Sequence, residues 1–492
     1  MTDPLNILFV ASEIESFVKT GGLADVAKAL PIALKNQGHQ VTLVMPFYRT
    51  IAHRDEAVFV DRFTLHTIGD WQKEVGIWKL SLEGIPVYCI EQADYFDRDG
   101  LYSEGEYGYP DSGERFGFFN IAALELCNHL QIKPDIIHCN DWHTALIPYL
   151  VNTHYRQHPL IGQAKTVLTI HNAVFQGIFD RNQFQMFGDL VDPLVDYLLD
   201  GYQCINMLKA GIRFSDKITA VSPNYANELQ TRLGAHGLHN FFQQRRADLS
   251  GILNGCDYSN WDPTTDPLLP SHYDAENLDG KKQCKMALQK EVGLENDPQR
   301  PIFGMVCRLT EQKGFYILLP ALEKFIRHKV QVIIVGTGDS QIARQLEGLQ
   351  QRFPDKLHFV NTYSNPLAHL IEAGSDFFMM PSLFEPCGLN QMYSLAYGTL
   401  PIVRGVGGLQ DTVSDYDQTP NDADGLIFYP PDQGELLNTL RRALLLYLEE
   451  PEQLNTMRKR AMQRQFSWQQ AADHYQSLYL AALGVLTNPT PE

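Results

Sequence analysis

Short apolar runs alternate along this chain with longer stretches whose apolar positions recur every three to four residues. In the first half the runs are Ile7–Ala11, Val41–Met45, Val87–Ile90, Ile136–Cys139, Thr166–Ile170 and Lys217–Val221. Continuous apolar runs of this length, bounded by turn formers, predict strands buried on both faces. The segments between them predict helices, so the alternation is that of parallel α/β architecture. A second series follows at Ile302–Cys307, Val330–Val335, Leu357–Val360, Asp376–Met380, Leu400–Val403 and Leu426–Tyr429, and the tail from Glu435 to Leu483 has helical periodicity. Local signals mark helix ends. Ser222-Pro223 reads as an N-cap followed by proline at the first helical position, and Gly38 as the glycine closing the first helical pattern, Val26 to Leu34.

The stretch Asn254–Pro267 is rich in turn formers and separates the two series. The reading is therefore two doubly wound domains, 1–255 and 256–466, facing each other with a ligand cleft at the carboxyl ends of both sheets. No repeat or low-complexity segment is evident.

Composition narrows the partners. Of 492 residues, 44% are hydrophobic and 20% charged, and the formal net charge is −18. Such a balance argues against nucleic acid and against an anionic membrane surface. Any anionic ligand must then be met by a few specific cations. Eight scattered cysteines without a C-x-x-C pair suit a reduced, cytoplasmic protein with neither a disulfide framework nor a zinc site. The first apolar run is cut short by Glu13 and reads as a strand, not a signal peptide; no run approaches a membrane span.

Five predicted loops at strand ends carry the polar chemistry. Lys19-Thr20-Gly21-Gly22-Leu23-Ala24-Asp25-Val26 joins the first strand to the first helix. It brings a cation, backbone N–H groups and a helix start together, which suits phosphate. It is neither a Walker A nor a G-x-G-x-x-G sequence, and a tight turn with a solvated lysine is the competing reading. Asn140-Asp141-Trp142-His143 offers an amide, a carboxylate and a ring for a sugar, against a capped helix start with a packed tryptophan. His171-Asn172 follows a parallel strand, where ligands bind. Arg308-Leu309-Thr310-Glu311-Gln312-Lys313-Gly314 supplies two cations able to clamp a diphosphate and to offset charge as phosphate leaves. Phe384-Glu385-Pro386-Cys387-Gly388-Leu389 pairs a carboxylate, suited to a vicinal diol, with N–H groups at a helix start.

Other features carry less. Cys387 as a nucleophile lacks a neighbouring base. Gly336-Thr337-Gly338-Asp339 reads as a turn and cap. Asp97-Arg98-Asp99 and Asp415-Tyr416-Asp417 match the D-x-D pattern of metal-dependent sugar transfer, but read as solvated loops because the cation pair already supplies the charge. The expectation is no metal and no cofactor.

Together the loops resemble those of bacterial glycogen synthases and plant starch synthases, over about Asn6 to Phe466. The most specific pieces are Lys19–Val26, Tyr109-Pro110-Asp111 with Glu114-Arg115-Phe116, Asp141-Trp142-His143, Gly251-Ile252-Leu253-Asn254-Gly255, Arg308–Gly314 and Phe384–Gly388. The resemblance implies a GT-B fold of two Rossmann-like domains, with a last helix, 467–492, crossing back to the first. It implies retaining transfer of glucose from ADP-glucose to the non-reducing end of an α-1,4-glucan such as glycogen. It also implies residue roles. Arg308, Lys313, Glu385 and His171 are catalytic. Lys19, Gly21, Gly22, Asp25, Asn172, Asn254, Tyr363, Cys387, Gly388 and Leu389 bind the donor, with Tyr363 on the nucleobase. Asp141 and Trp142 lie on the acceptor side.

The chain departs from the family pattern at Asn140 (usually His), Leu383 (usually Arg), Asp424 (usually Thr) and Cys256 (usually aliphatic). Leu383 and Asp424 leave ADP-glucose over UDP-glucose less secure. A UDP-glucose-using synthase and a non-catalytic glucan-binding protein on the same fold are the alternatives. A phosphorylase would need a pyridoxal-phosphate lysine motif that this sequence does not contain. Oligomeric state is not legible.

Overall fold

A computed structural model of the chain describes residues 3–66, 71–105, 107–191 and 203–485. These divide into two compact units, one of Met1–Gly255 with Trp468–Glu492 and one of Cys256–Ser467.

In the first unit the strands are β1 (Asn6–Val10), β2 (Gln40–Pro46), β3 (Val58–His66), β4 (Gln72–Leu82), β5 (Ile85–Glu91), β6 (Ser103–Glu104), β7 (Tyr107–Gly108), β8 (Ile136–Asn140), β9 (Lys165–Ile170), β10 (Ile178–Asp180), β11 (Cys204–Asn206), β12 (Lys217–Ala220) and β13 (Leu249–Gly251). Among the described residues, nine of them form one sheet in the order β13-β12-β9-β8-β1-β2-β5-β4-β3. The central neighbours are parallel, and Leu8, Phe9 and Val10 of β1 have no exposed surface. Each of the six expected strands is present. The sheet order reverses at β1, flanked by β2 and β8. This switch point leaves the loops after β1 and β8 splayed apart at their carboxyl ends.

The strands beyond those six escaped the sequence reading, β3 and β4 being the longest of them. β3 and β4 form an antiparallel extension beyond β5. Their residues are half-exposed; Val58, Phe59 and Val60 face solvent at the sheet edge. The short β13 was also missed. The helix Pro223–Glu228 has Ser222 as N-cap, its side chain accepting from the Tyr225 N–H. Gly38 takes a φ of +96° just past the helix Gly22–Asn36. That helix begins four residues earlier than its apolar pattern, so Gly22 is its first residue.

The helix Trp468–Ala482 packs on the first unit, against the helix Gly22–Asn36 and β9. The Tyr479 hydroxyl meets His138 Nδ1 on β8 at 2.7 Å, and burial pushes the His138 imidazole down to about 3.

The second unit holds β14 (Ile302–Val306), β15 (Gln331–Val335), β16 (Leu357–Val360), β17 (Phe377–Met380), β18 (Leu400–Arg404) and β19 (Leu426–Phe428). They pair in the order β16-β15-β14-β17-β18-β19, all parallel. The order reverses between β14 and β17. The fold class is therefore α/β with two doubly wound units, as the alternating pattern predicts.

Candidate functional site

The switch point of each sheet carries a polar constellation. In the first unit the loop after β1 folds back on Glu13, which is buried. Glu13 accepts from the Thr20 N–H and, at 3.0 Å, from the Thr20 hydroxyl. Burial pushes its carboxyl up, opposed by bonds from Thr20 and Gly21. The Thr20 and Gly21 N–H groups, expected to meet an anion, thus serve an internal carboxylate that shapes the loop. Lys19 remains at the surface, 48% exposed, with Nζ 2.5 Å from Asp25 Oδ1. Burial raises the Asp25 pKa, and the Lys19 charge works against that rise.

Gly21 and Gly22 are unusual. Neither has a positive φ, and a Cβ at either would touch nothing within 4 Å. Nothing among the described residues requires glycine here. Two bare backbone units facing open space at a switch point suit the close approach of a ligand.

After β8, Asp141 adopts φ +54° and ψ −171°, a conformation L-residues rarely take. Its buried carboxylate accepts from the N–H groups of His171 (2.7 Å) and Asn172 (3.3 Å). Desolvation nevertheless raises it to about 7. His171 is buried beside it and desolvation lowers it to about 3, so the imidazole is neutral. Its Nε2 meets Asn140 Oδ1 at 2.9 Å. Asn172 spends its side-chain oxygen on the Val174 N–H, whereas Asn254 is buried with Oδ1 unpartnered among the described residues.

Trp142 departs from expectation. Its ring stacks on His143 at 3.9 Å and takes Phe116 edge-on, and a Cβ on Gly177 would fall 2.4 Å from it. It is a packed core ring, and its faces are covered by protein. The stacking platform expected of it is not offered.

In the second unit Arg308 and Lys313 follow β14, and Ser382 to Leu389 follow β17. The two loops are sewn together: Leu383 N–H donates to Gln312 O at 2.8 Å, and Gln312 Nε2 to Phe384 O at 3.1 Å. Gly314 takes φ +75°, and a Cβ there would lie 2.0 Å from Pro381 O. Only glycine permits this approach. Lys313 Nζ sits 2.5 Å from Glu385 Oε2, which also accepts from Ser382 Oγ at 3.0 Å. Both side chains are largely buried. Glu385 Oε1 has no partner among the described residues.

Arg308, Lys313, Ser382, Glu385, Gly388, Leu389 and Asn390 line one cavity of about 190 Å³. The sequence reading named all but Ser382 and Asn390, whose roles depend on the β14 and β17 loops meeting. Tyr363 lies elsewhere on the surface, 65% exposed, its hydroxyl 3.2 Å from Asn365 Oδ1. Cys387 is buried and does not line the cavity.

The lesser motifs are structural. Asp97 and Asp99 both pair with Arg49 at 2.9 Å. Asp415 is buried and accepts from the Ile427 N–H at 2.8 Å, so the solvated loop expected there is a strand-end brace. Gly336 and Gly338 press against Cys307 and Leu309 carbonyls, and Leu309 N–H donates to Thr337 O, so this turn supports the Arg308 loop. Among the described residues no cluster of three His, Cys, Asp or Glu side chains could hold a metal, and no helix is long and apolar enough to cross a membrane.

Comparison with known proteins places this geometry. Residues 6–244 match the starch synthase catalytic domain, and residues 289–464 match glycosyl transferases group 1. The glycogen synthase of Aeromonas salmonicida is 54% identical over 98% of this chain and 99% of its own. That of Vibrio cholerae is 50% identical over 98% and 99%. The catalytic domain of starch synthase IV from Arabidopsis thaliana, solved bound to ADP and acarbose, superposes with a TM-score of 0.89. It is 33% identical over 98% of this chain and all of that one. Sucrose-phosphate synthase from Thermosynechococcus elongatus, 18% identical with a TM-score of 0.60, shares the fold. With both units doubly wound in the GT-B manner and relatives matched end to end, this chain belongs to the glycogen synthase and starch synthase family of glycosyltransferases.

Proposed function

We propose that this enzyme transfers glucose from ADP-glucose to the non-reducing end of an α-1,4-glucan, with retention at the anomeric carbon. The observation that carries the reading is the convergence of Arg308, Lys313 and Glu385 on one cavity at the switch point of the second unit. Arg308 and Lys313 hold the diphosphate and offset its growing charge as the bond from phosphate oxygen to C1 breaks. Glu385 is fixed through Oε2 by Lys313 and Ser382, which leaves Oε1 to accept from glucose hydroxyls. Gly388 and Leu389 add backbone donors, Cys387 sets the turn behind them, and Tyr363 approaches the base.

In the first unit the donor-binding groups are Lys19, the backbone of Gly21 and Gly22, Asp25, His171, Asn172 and Asn254. Asp141 orders the His171-Asn172 backbone on the acceptor side. The acceptor O4 attacks C1 on the face that ADP leaves. The bonding pair departs with ADP, and the O4 proton passes to the leaving phosphate oxygen. The ADP in the related starch synthase supports an adenine nucleotide, and its acarbose supports a glucan acceptor.

The test is incorporation of radiolabelled glucose into glycogen from ADP-glucose and, separately, from UDP-glucose, without added metal. Transfer from ADP-glucose, with a product degraded by β-amylase, is expected. Preference for UDP-glucose would overturn the donor assignment, and no incorporation from either would overturn the synthase reading.

A further inference from the structure

Asn140, the last residue of β8, has a partner at each end of its side-chain amide. Its Nδ2 lies 3.0 Å from the Val10 carbonyl at the end of β1. Its Oδ1 lies 2.9 Å from His171 Nε2 at the end of β9. A carbonyl only accepts, so the amide nitrogen must face Val10 and the amide oxygen must face the imidazole. An amide oxygen also only accepts, so the proton of the neutral imidazole must sit on Nε2. Nδ1 is then an obligate acceptor, and it has no hydrogen-bond partner among the described residues.

We infer that Asn140 is a positioning residue that locks His171 as the Nε2–H tautomer and so presents Nδ1 as an acceptor for a hydroxyl of the transferred sugar.

The amide itself is held. The Asn140 N–H donates to Thr144 Oγ1 at 2.6 Å, and that hydroxyl lies 3.0 Å from the Asn140 carbonyl. The side chain is wholly buried. The groups facing His171 leave its charge state alone. Asp141 binds the His171 backbone N–H, and His138 and His143 are themselves buried and held neutral. The lock joins β1, β8 and β9, the three strands whose loops make the first-unit constellation.

The assignment of a sugar hydroxyl rests on the glucosyl-transfer reading; the tautomer does not. The experiment therefore has two readouts on the full chain. Selective 15N-histidine labelling, with the His171 signals assigned by loss in His171→Gln, reads the tautomer directly. Glucose incorporation from ADP-glucose into glycogen reads kcat and KM.

Wild type is expected to show one neutral tautomer with the proton on Nε2. Asn140→Ala is expected to show a mixture and a kcat lower by about tenfold or more, the scale of loss when an imidazole's orienting partner is removed, with little change in acceptor KM. Asn140→Asp keeps an acceptor against Nε2 and is expected to restore the Nε2–H form, which separates the lock from simple misfolding. A wild-type proton on Nδ1, or an unchanged tautomer in Asn140→Ala, overturns the lock. A tautomer that changes while kcat does not overturns the role given to Nδ1 and leaves the lock standing.

Discussion

Lys313 does two things at once, and they can be separated. It neutralises Glu385, 2.5 Å away, and it faces the cavity that Arg308 also lines. Replacing it with methionine keeps most of the volume but leaves the Glu385 carboxylate with only the Ser382 hydroxyl. Breaking a buried pair costs about 3–5 kcal/mol. Lys313 keeps 16% of its side-chain surface, which argues for the lower end, about 3 kcal/mol. For a unit of this size, each kcal/mol lowers Tm by about 2–4 °C, so a drop of roughly 6–12 °C is expected by calorimetry. Glu385→Gln on the Lys313→Met background removes the stranded charge and keeps a partner for Ser382. Most of the lost stability should return. Transfer should not, because the cation that offsets leaving-group charge is still missing, at about 10²–10³ in kcat. The assay is calorimetry paired with glucose incorporation for the wild type, both single variants and the double variant. Activity that recovers together with stability would refute the reasoning, since Lys313 would then be a structural partner of Glu385 and nothing more.

Gly21→Ala and Gly22→Ala should leave stability unchanged or raise it by about 0.5–1 kcal/mol, since alanine loses less entropy and meets no atom there. Donor kcat/KM should nevertheless fall at least tenfold, and wild-type kinetics in both would remove the ligand explanation for the glycines. Asp141, raised to about 7 by burial, binds its proton more tightly folded than unfolded. Its contribution to stability is full below about pH 4 and is lost as pH rises toward about 7. Asp141→Asn should flatten the stability profile over that window and raise Tm at neutral pH, which thermal melts at pH 4, 5.5 and 7 would check. Trp142→Leu should cost about 2–4 kcal/mol as a core truncation. Any weakening of glucan KM beyond that of an equally destabilised core variant would return the ring to the acceptor side.

Parallel strands covered on both faces are the easiest elements to read, because both faces demand apolar residues and the run is continuous. Each such run in the sequence became a strand. β3 and β4 went unread because they lie at the edge with one face to solvent, and their polar alternation blends into loop composition. Chemistry that depends on residue type alone was equally legible. The two cations and the carboxylate picked out at strand ends line one cavity. What residue type could not tell is placement: Trp142 is packed in the core, and Tyr363 is exposed outside the cavity lining.

What the sequence hides is choice of partner, and the two switch points show why. Glu13 looks like an interruption of an apolar strand until the loop returns and offers it the Thr20 N–H and hydroxyl. Ser382 looks like an ordinary turn residue until Lys313, brought in from the neighbouring strand, points at the same carboxylate oxygen. Asn140 reads as a departure from a family pattern; its bonds run to Val10 and His171, residues 130 and 31 positions away. In each case the residue has several plausible local uses, and only strand order selects one. The same order explains where the selections fall. At a switch point adjacent strands send their loops in opposite directions, so the groups at their carboxyl ends lack covering backbone and must satisfy one another or a ligand. Glu13, Asp141 and Ser382 do the first. Gly22 and the Oε1 of Glu385 are left for the second.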